Sequence, residues 1–396
     1  MAGASPFAAT FGPALAELET GGLRRRRRTV RRAEPQRPEM VIDGRKCLDF
    51  CSNDYLGLAA HPLVVEAFVR AAHANGVGAR ASHLISGHQP EHEALERELA
   101  DYTGRERALV FSTGYMANIG LVGALARRGT PVFEDRLNHA SLIDAGRMSG
   151  ARLRRFPHAD ADALERRFAQ DTADFRIVLT DGVFSMDGDL APLPALAAAC
   201  AKHDAFLAVD DAHGLGVIGA TGRGTLEHFA LTPAQVPALV GTFGKAFGSF
   251  GAFMAGSADL IDTLIQHART YIYTTALPPA VAAATRAALA VSIDESWRRE
   301  RVLALTRRFR ELARAAGLPL AASETPIQPV LLGSAEAALR ASAALLELGF
   351  FVAAIRPPTV PAGSSRLRVT LSAAHRDADV EALVAALAGC CAIESP

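Results

Sequence analysis

Short apolar runs alternate with amphipathic stretches through the middle of this 396-residue chain. The apolar runs are typical of buried strands, and the amphipathic stretches have the spacing of helices with one apolar face. Strands that alternate with helices favour a mainly parallel sheet with helices on both faces. We therefore predict an α/β fold with strands at 107–111, 131–134, 175–180, 205–210, 237–242 and 252–255.

The positions of the predicted helices also indicate how the chain is divided into domains. It indicates helices at 62–74, 90–103, 114–127, 160–170 and 192–203, and one long Ala-rich helix over 279–315. Apolar runs at 328–332 and 366–371, with helices near 335–348 and 376–389, indicate a smaller α/β domain after it. Residues 1–40 are predicted to be irregular. The predicted domains are an N-terminal arm (1–50), a large domain (51–285) and a small C-terminal domain (286–396).

The composition disfavours several classes of protein. Basic and acidic residues balance at 42 each, so no global charge favours nucleic acid. A local basic tract, Arg24 to Arg28, is predicted to be a solvated arm rather than a nucleic-acid site, because no aromatic residues are interleaved with it. An apolar run of roughly twenty residues, which a membrane helix needs, is absent. The five cysteines form no C-x-x-C pair, which favours a reducing cytoplasm.

Polar residues follow several of the predicted strands directly. In parallel sheets, ligands bind beyond the carboxyl ends of strands, so these residues are candidates for a site. Ser112 to Tyr115 opens a predicted helix, whose N–H groups suit a phosphate, although an ordinary helix cap has the same sequence. His139 follows the next strand, where its flat ring either stacks on a flat ligand or simply starts a helix. Asp181 to Gly188 forms a polar loop after a third strand.

Asp210, His213 and Lys245 carry the most specific chemistry. Asp210 ends an apolar strand, where a carboxylate needs a positive partner, and its neighbour Asp211 points to the opposite face. Lys245 lies among small residues with little helical character, where a partly desolvated amine is nucleophilic. A buried ion pair would explain Asp210 and His213, and a loop lysine would explain Lys245. Together, however, they match pyridoxal-phosphate (PLP) enzymes, which need a Schiff-base lysine and a carboxylate beside the ring nitrogen.

In these motifs the chain resembles the α-oxoamine synthase family of fold-type I PLP-dependent enzymes. The resemblance covers about residues 20–390. It rests on Ser52 to Leu58, Asp135 to Ser141, Gly182 to Gly188, Asp210 to Gly214, Gly241 to Lys245 and Arg356 to Pro361. It implies PLP as cofactor and a large domain with a mainly parallel sheet followed by a smaller C-terminal domain. It also implies condensation of L-alanine with a pimeloyl thioester, carried by CoA or an acyl carrier protein, in a homodimer.

The resemblance assigns roles to individual residues. It implies that Lys245 is the Schiff-base lysine, that Asp210 pairs with the ring nitrogen and that His139 stacks on the ring; these three are the predicted catalytic residues. The other predicted cofactor contacts are Gly114, Tyr115, Ser185, His213, Thr242 and Thr275, with Thr274 as the alternative to Thr275 for the phosphate of a neighbouring subunit. The predicted substrate contacts are Arg25, His139 and Thr359, with Arg24 as the rival to Arg25.

Two alternatives and one departure accompany this prediction. Relatives that use glycine instead of alanine are the nearest rival. A metal hydrolase using Asp210, His213 and His139 is a more distant one, because no H-E-x-x-H motif or cysteine set supports it, and no metal is predicted. The departure is Arg80, which lies where the family has a small residue in a glycine-rich segment. We expect it to affect substrate fit rather than the chemistry.

Overall fold

The computed structural model describes residues 5–391, and strands and helices occur throughout this range. The strands are β1 (Val30–Arg32), β2 (Glu39–Ile42), β3 (Arg45–Asp49), β4 (Arg107–Phe111), β5 (Pro131–Asp135), β6 (Arg152–Phe156), β7 (Arg176–Asp181), β8 (Ala205–Asp210), β9 (Ala238–Thr242), β10 (Ala252–Gly256), β11 (Ile327–Gly333), β12 (Phe350–Phe351), β13 (Ala353–Ile355) and β14 (Ser365–Thr370). The helices are α1 (Pro6–Thr20), α2 (Pro62–Asn75), α3 (Pro90–Thr103), α4 (Gly114–Leu125), α5 (Ala140–Met148), α6 (Ala161–Phe168), α7 (Leu193–Lys202), α8 (Thr225–His228), α9 (Ala258–His267), α10 (Arg269–Ile272), α11 (Pro279–Asp294), α12 (Trp297–Ala315), α13 (Ala335–Glu347) and α14 (Asp377–Cys391).

The chain divides into two compact units. One contains the chain up to Ser52 together with the chain from Ala304, and the other is Asn53–Leu303. The first unit has a sheet in the order β1-β2-β3-β12 and a second sheet in the order β11-β14-β13. The predicted boundaries at residues 50 and 285 stay predictions. No helix among residues 5–391 has both the length and the apolar character that a membrane span requires.

A seven-stranded sheet, in the order β4-β10-β9-β8-β7-β5-β6, forms the centre of the second unit. Strands β5 to β9 pair in parallel, and β10 runs antiparallel to both of its neighbours. Both faces of the sheet are buried. Ile177, Leu179 and Ala208 belong to the apolar core on one face, and Val178, Leu207 and Val209 belong to the core on the other. Because successive side chains of a strand point to opposite faces and both faces are buried, the strands are almost continuously apolar.

The predicted α/β fold with a mainly parallel sheet is confirmed. Strands β4 and β8 and helix α3 have the predicted bounds, and the other predicted elements of the large sheet differ by a few residues. The long helix predicted over 279–315 is wrong in one respect, because the chain breaks at Glu295 and Ser296 into α11 and α12. The prediction that residues 1–40 are irregular is wrong for residues 5–40, because these contain α1, β1 and the first two residues of β2.

The loop after β8 is built round Asp211, whose side chain is fully buried. The Thr225 N–H donates to Asp211 Oδ2 at 2.6 Å. Burial, opposed by that hydrogen bond, raises the pKa of Asp211 to about 7. Alanine at Gly214 would place a Cβ 2.1 Å from Asp211 Oδ1, so the loop requires a residue without a side chain there. Asp211 therefore stabilises the loop. Asp210, whose side chain lies on the other side of the strand, is the aspartate of the two that is available for the site.

Candidate active site

Asp210 lies at the carboxyl end of β8 with 7% of its surface exposed. Its Oδ2 accepts a hydrogen bond from Asn118 Nδ2 at 2.6 Å, and its Oδ1 accepts one from the Ala212 N–H at 3.1 Å. Both carboxylate oxygens therefore have a fixed direction. A buried carboxylate of this kind suits a positively charged partner such as a protonated ring nitrogen.

A second carboxyl group, Asp181, lies beside Asp210 because the two residues are register partners on β7 and β8. Asp181 is buried, and its Oδ2 accepts a hydrogen bond from the His139 N–H at 2.6 Å. Burial first, and then the negative charge of Asp210, raise the pKa of Asp181 well above its usual range. Burial and the neighbouring charge therefore favour the protonated form of Asp181.

His139 immediately precedes helix α5 and caps it. Its Nδ1 lies 3.3 Å from the Ser141 N–H group and 2.8 Å from Ser141 Oγ. His139 is exposed, so its ring is accessible for stacking on a flat ligand. Desolvation by the surrounding protein atoms lowers the pKa of His139, with the charge of Asp210 opposing this effect and that of Lys245 adding to it. The imidazole is therefore neutral at neutral pH.

Lys245 is one of only three lysines in the chain. Lys46 and Lys202 are exposed, and each forms an ion pair with a glutamate, Glu39 and Glu165 respectively. Lys245 is half-buried in the loop after β9, close enough to His139 and Asp181 for its charge to act on both. Its surroundings thus differ from those of the two surface lysines, as expected for a reactive amine.

His213 lies in the loop after β8 and is buried. Its Nδ1 lies 2.6 Å from the hydroxyl group of Tyr55, whose side chain is also buried. This hydrogen bond fixes the plane of the imidazole ring. Tyr55 belongs to the segment from Ser52 to Leu58 that carried the family resemblance, although no role was predicted for it.

The predicted phosphate contacts lie at the start of α4 and the end of β9. Thr113 caps α4 by accepting the Met116 N–H at 3.1 Å, and a Cβ on Gly114 would meet nothing within 4 Å. Open space over the N–H groups of a helix start suits a phosphate. The Tyr115 hydroxyl donates to Asp144 Oδ2 at 2.6 Å. Thr242 donates to the Gly251 carbonyl at 3.0 Å and accepts the Gly244 N–H at 3.3 Å.

Ser185 lies in a short hairpin whose sides are joined by an antiparallel bridge between Val183 and Leu190. Its side chain is half-buried. His158 attaches this hairpin to the end of β5, which precedes His139. The His158 Nδ1 lies 3.1 Å from Asp135 Oδ1, and its Nε2 lies 2.8 Å from Asp189 Oδ2.

The remaining predicted residues divide between the two units. Thr274 is half-buried and Thr275 is exposed on the segment after α10. In the other unit, Arg25 donates to Thr359 Oγ1 at 3.4 Å, so two predicted substrate contacts meet. Arg24, the rival of Arg25, instead forms an ion pair of 3.1 Å with Glu19.

This set of donors fits PLP. The reactive-amine candidate is Lys245, the buried carboxylate is Asp210, and the neutral flat ring is His139. Open helix-start N–H groups at Gly114 suit the phosphate. Asn118, Ser141 and Asp181 received no individual role from the sequence, although Asp181 opens a candidate polar segment and Ser141 ends one of the motifs of the resemblance. Asp181 ends an apolar run just as Asp210 does, so the same signal was present, whereas Asn118 is a single amide in an apolar helix.

Three histidines outside this group, His83, His88 and His92, lie close enough together to share a metal ion. Both ring nitrogens of His92 are already used, because Nδ1 accepts the Gln89 N–H at 3.0 Å and Nε2 donates to the Leu277 carbonyl. His83 also stacks on Tyr271. Helix capping and packing therefore explain this cluster.

Comparison with known proteins identifies the family. The model of the family "Aminotransferase class I and II" matches residues 45–387. The chain belongs to the class I and II aminotransferase family. The 8-amino-7-oxononanoate synthase of Methylococcus capsulatus is 60% identical over 96% of this chain and 98% of its own length.

Two solved structures are similar to this chain in both fold and sequence. Serine palmitoyltransferase from S. paucimobilis, in a structure with bound PLP–myriocin aldimine, matches with a TM-score of 0.91 and 31% identity over 97% of this chain and 98% of that one. An 8-amino-7-oxononanoate synthase from Francisella tularensis matches with a TM-score of 0.76 and 30% identity over 87% of this chain and 97% of that one. The predicted fold-type I architecture and family are therefore confirmed.

Arg80 has a backbone conformation that glycine usually supplies. Its φ is +71°, in the left-handed region, and its side chain is exposed. A non-glycine residue there costs roughly 1–2 kcal/mol. The expected effect of Arg80 on substrate fit stays a prediction.

His158 allows a test of how the hairpin is held. Burial alone would lower its pKa, but the hydrogen bonds and charges of Asp135 and Asp189 outweigh burial and raise it to about 10. The protonated ring is favoured by folding, so this contribution is fully present below about pH 6.5, the usual histidine value. It shrinks as the pH rises from there and is lost above about pH 10.

We expect His158→Gln to lower the free energy of unfolding by about 2 kcal/mol at pH 6, since hydrogen bonds to charged groups are lost. Denaturant titration at pH 6, 8 and 10 measures the difference from the wild type, which should shrink as the pH rises. His73→Gln, at an exposed position of α2, is the matched control and should change little. A His158→Gln difference that stays constant or grows up to pH 10 would contradict this interpretation.

Proposed function

We propose that this protein is an 8-amino-7-oxononanoate synthase. With PLP bound, it condenses L-alanine with a pimeloyl thioester and releases CO2 and a thiol, as a step of biotin biosynthesis in the cytoplasm. The observation that carries the proposal is the meeting of buried Asp210, neutral His139 and half-buried Lys245 in a chain 60% identical to a synthase of that name. Both CoA and an acyl carrier protein are compatible acyl carriers.

Each residue of the site has its own role in the proposed reaction. When bound, PLP accepts the electron pair that remains on the amino-acid Cα when a proton or CO2 leaves. Lys245 would hold the aldehyde group of the cofactor, and its amine would take the Cα proton of alanine. Asp210 would place a negative charge beside the ring nitrogen, and His139 would cover one face of the ring. Ser185 and His213 donate on the phenolic-oxygen side, and Gly114, Tyr115 and Thr242 hold the phosphate.

The bonds that change define the products. A carbon–carbon bond forms between the alanine Cα and the acyl carbon, while the acyl carbon–sulfur bond breaks and the thiol leaves. The alanine carboxyl group then departs as CO2, and a proton returns to Cα. Proton transfer by a positioned base contributes about 10²–10⁴-fold to such a reaction.

The far end of a pimeloyl chain carries a carboxylate, for which a guanidinium group is a suitable partner. Arg25 is exposed and hydrogen-bonds to Thr359. Arg24 is already paired with Glu19. These contacts support Arg25, with Thr359 as its neighbour, as the group that binds this carboxylate.

An exposed apolar surface supports a homodimer. Leu63, Val65, Phe68 and Val69 on α2 are each more than 40% exposed, and so is Phe250. Val65, Phe68 and Phe250 line one groove. Contiguous exposed apolar surface of this kind marks a protein interface. A second copy of the chain is the occupant we propose, with Thr275, or Thr274, reaching the phosphate of its partner.

We predict that the purified protein, supplied with PLP, converts L-alanine and pimeloyl-CoA to 8-amino-7-oxononanoate, measured by mass spectrometry. Lys245→Ala should lower turnover more than about 10³-fold, because it removes both the anchor and the base. Lys202→Ala, at an exposed lysine, is the control and should retain activity.

The amino-acid donor decides between this function and its rivals. Turnover with glycine or serine in place of alanine would overturn the assignment of alanine while leaving the PLP chemistry intact. Normal turnover by Lys245→Ala would overturn the chemistry itself.

A second prediction concerns the acyl substrate. Arg25→Gln should raise the KM for pimeloyl-CoA about tenfold, because a charge-assisted hydrogen bond is lost, and should leave the KM for alanine nearly unchanged. Steady-state kinetics with heptanoyl-CoA, which lacks the far carboxylate, should show no difference between Arg25→Gln and the wild type. Arg27→Gln, in the same tract, is the control. A tenfold effect in Arg24→Gln instead of Arg25→Gln would favour the rival arginine.

A further inference from the structure

Two buried side chains connect Asp210 with His139. Asn118 Nδ2 lies 2.6 Å from Asp210 Oδ2 and 2.8 Å from Ser141 Oγ. Ser141 Oγ in turn lies 2.8 Å from His139 Nδ1. Asn118 on α4 is fully buried, and 1% of Ser141 on α5 is exposed. The result is one hydrogen-bonded line of four side chains from β8 to the start of α5.

The number of available hydrogens gives this line a direction. A carboxylate only accepts hydrogen bonds, so the amide nitrogen of Asn118 must face Asp210. Its second hydrogen goes to Ser141 Oγ, which leaves the serine hydroxyl hydrogen for His139 Nδ1. The Ser141 N–H also points at Nδ1, at 3.3 Å. This assignment makes Nδ1 an acceptor, so the neutral His139 ring carries its hydrogen on Nε2.

The position of Asn118 is poorly explained by stability alone. Its Oδ1 is buried and has no hydrogen-bond partner among residues 5–391. An unsatisfied buried oxygen destabilises a protein, and an apolar residue of similar size would avoid that cost. The neighbouring residues of α4, including Ala117, Leu121 and Val122, are apolar and form part of the core. An amide among them indicates a role for its two N–H groups.

We propose that Asn118 is a positioning residue of the site, which acts through Asp210 and His139. One N–H group holds the Asp210 carboxylate in the direction of the cofactor ring nitrogen. The other, through Ser141, fixes the plane and the tautomer of the His139 ring that covers the cofactor. The inference rests on the proposed function, because the two groups that Asn118 positions are those assigned to the PLP ring.

Asn118→Leu in the full-length chain is the direct test, since leucine fills a similar volume and donates no hydrogen bond. We expect PLP to bind about tenfold or more weaker to this variant, measured by fluorescence titration of the apoprotein. We also expect the pH midpoint of the bound-cofactor absorbance to move by about one unit, because a hydrogen bond to a charged group near the ring is lost. The melting temperature of the apoprotein reports any purely structural effect.

Gln328→Leu is the matched control, because Gln328 is also a fully buried amide, with Nε2 donating to the Thr325 carbonyl at 2.7 Å. It should lower the melting temperature without changing PLP affinity or the pH midpoint. Asn118→Ser and Ser141→Ala carry the test if Asn118→Leu does not fold. Ser141→Ala interrupts only the branch to His139 and should give a smaller loss of PLP affinity.

The possible outcomes separate this inference from the proposed function. A wild type that binds no PLP would refute the proposed function and the inference together. A wild type that binds PLP, beside folded Asn118 variants with unchanged affinity and pH midpoint, would overturn the inference alone. A loss of apoprotein stability with both cofactor readouts unchanged would likewise overturn it.

Discussion

A buried carboxylate at the end of a strand determines how the candidate site is arranged. Asp210 is almost fully removed from solvent, and each of its oxygens accepts a hydrogen bond, from Asn118 and from the Ala212 N–H. A buried negative charge is stable only with such partners and a positive group nearby. Burial and the charge of Asp210 raise the pKa of the neighbouring Asp181, which disfavours a second charge at the same place.

The parallel sheet makes this arrangement possible. Because β7 and β8 are in register, their carboxyl ends bring Asp181 and Asp210 side by side. The loops and helices that follow neighbouring strands then supply His139, His213 and Lys245. Apolar side chains bury both faces of the sheet, and so keep the strand ends in place. Asp211, one residue later, holds its own loop from the other side of the strand.

The sequence predicted the parts of the fold that depend on short, strongly patterned segments. Strands β4 and β8 and helix α3 have the predicted bounds because each is a clear apolar or periodic run. The break at Glu295 and Ser296 was missed, since good helix formers on both sides, mainly Ala before it and Arg and Leu after it, favour a continuous helix. Helix α1 was missed because it buries no residue and its pattern is weak.

The candidate site was predictable to a similar degree. Asp210, His139 and Lys245 follow apolar runs, so their approximate placement follows from the topology of a parallel sheet. Asn118 could not be found in this way, because one amide in an apolar helix has no distinctive spacing. Its importance depends on a distance of 2.6 Å to a residue 92 positions away, which only the folded chain provides.

The central claim is that Asp210 keeps the ring nitrogen of a bound PLP protonated. The most direct measurement is the ¹⁵N NMR resonance of that nitrogen, with ring-labelled PLP bound to the wild type and to Asp210→Asn. We predict a pyridinium resonance in the wild type and a neutral pyridine resonance in Asp210→Asn. A neutral pyridine nitrogen in the wild type would contradict the claim.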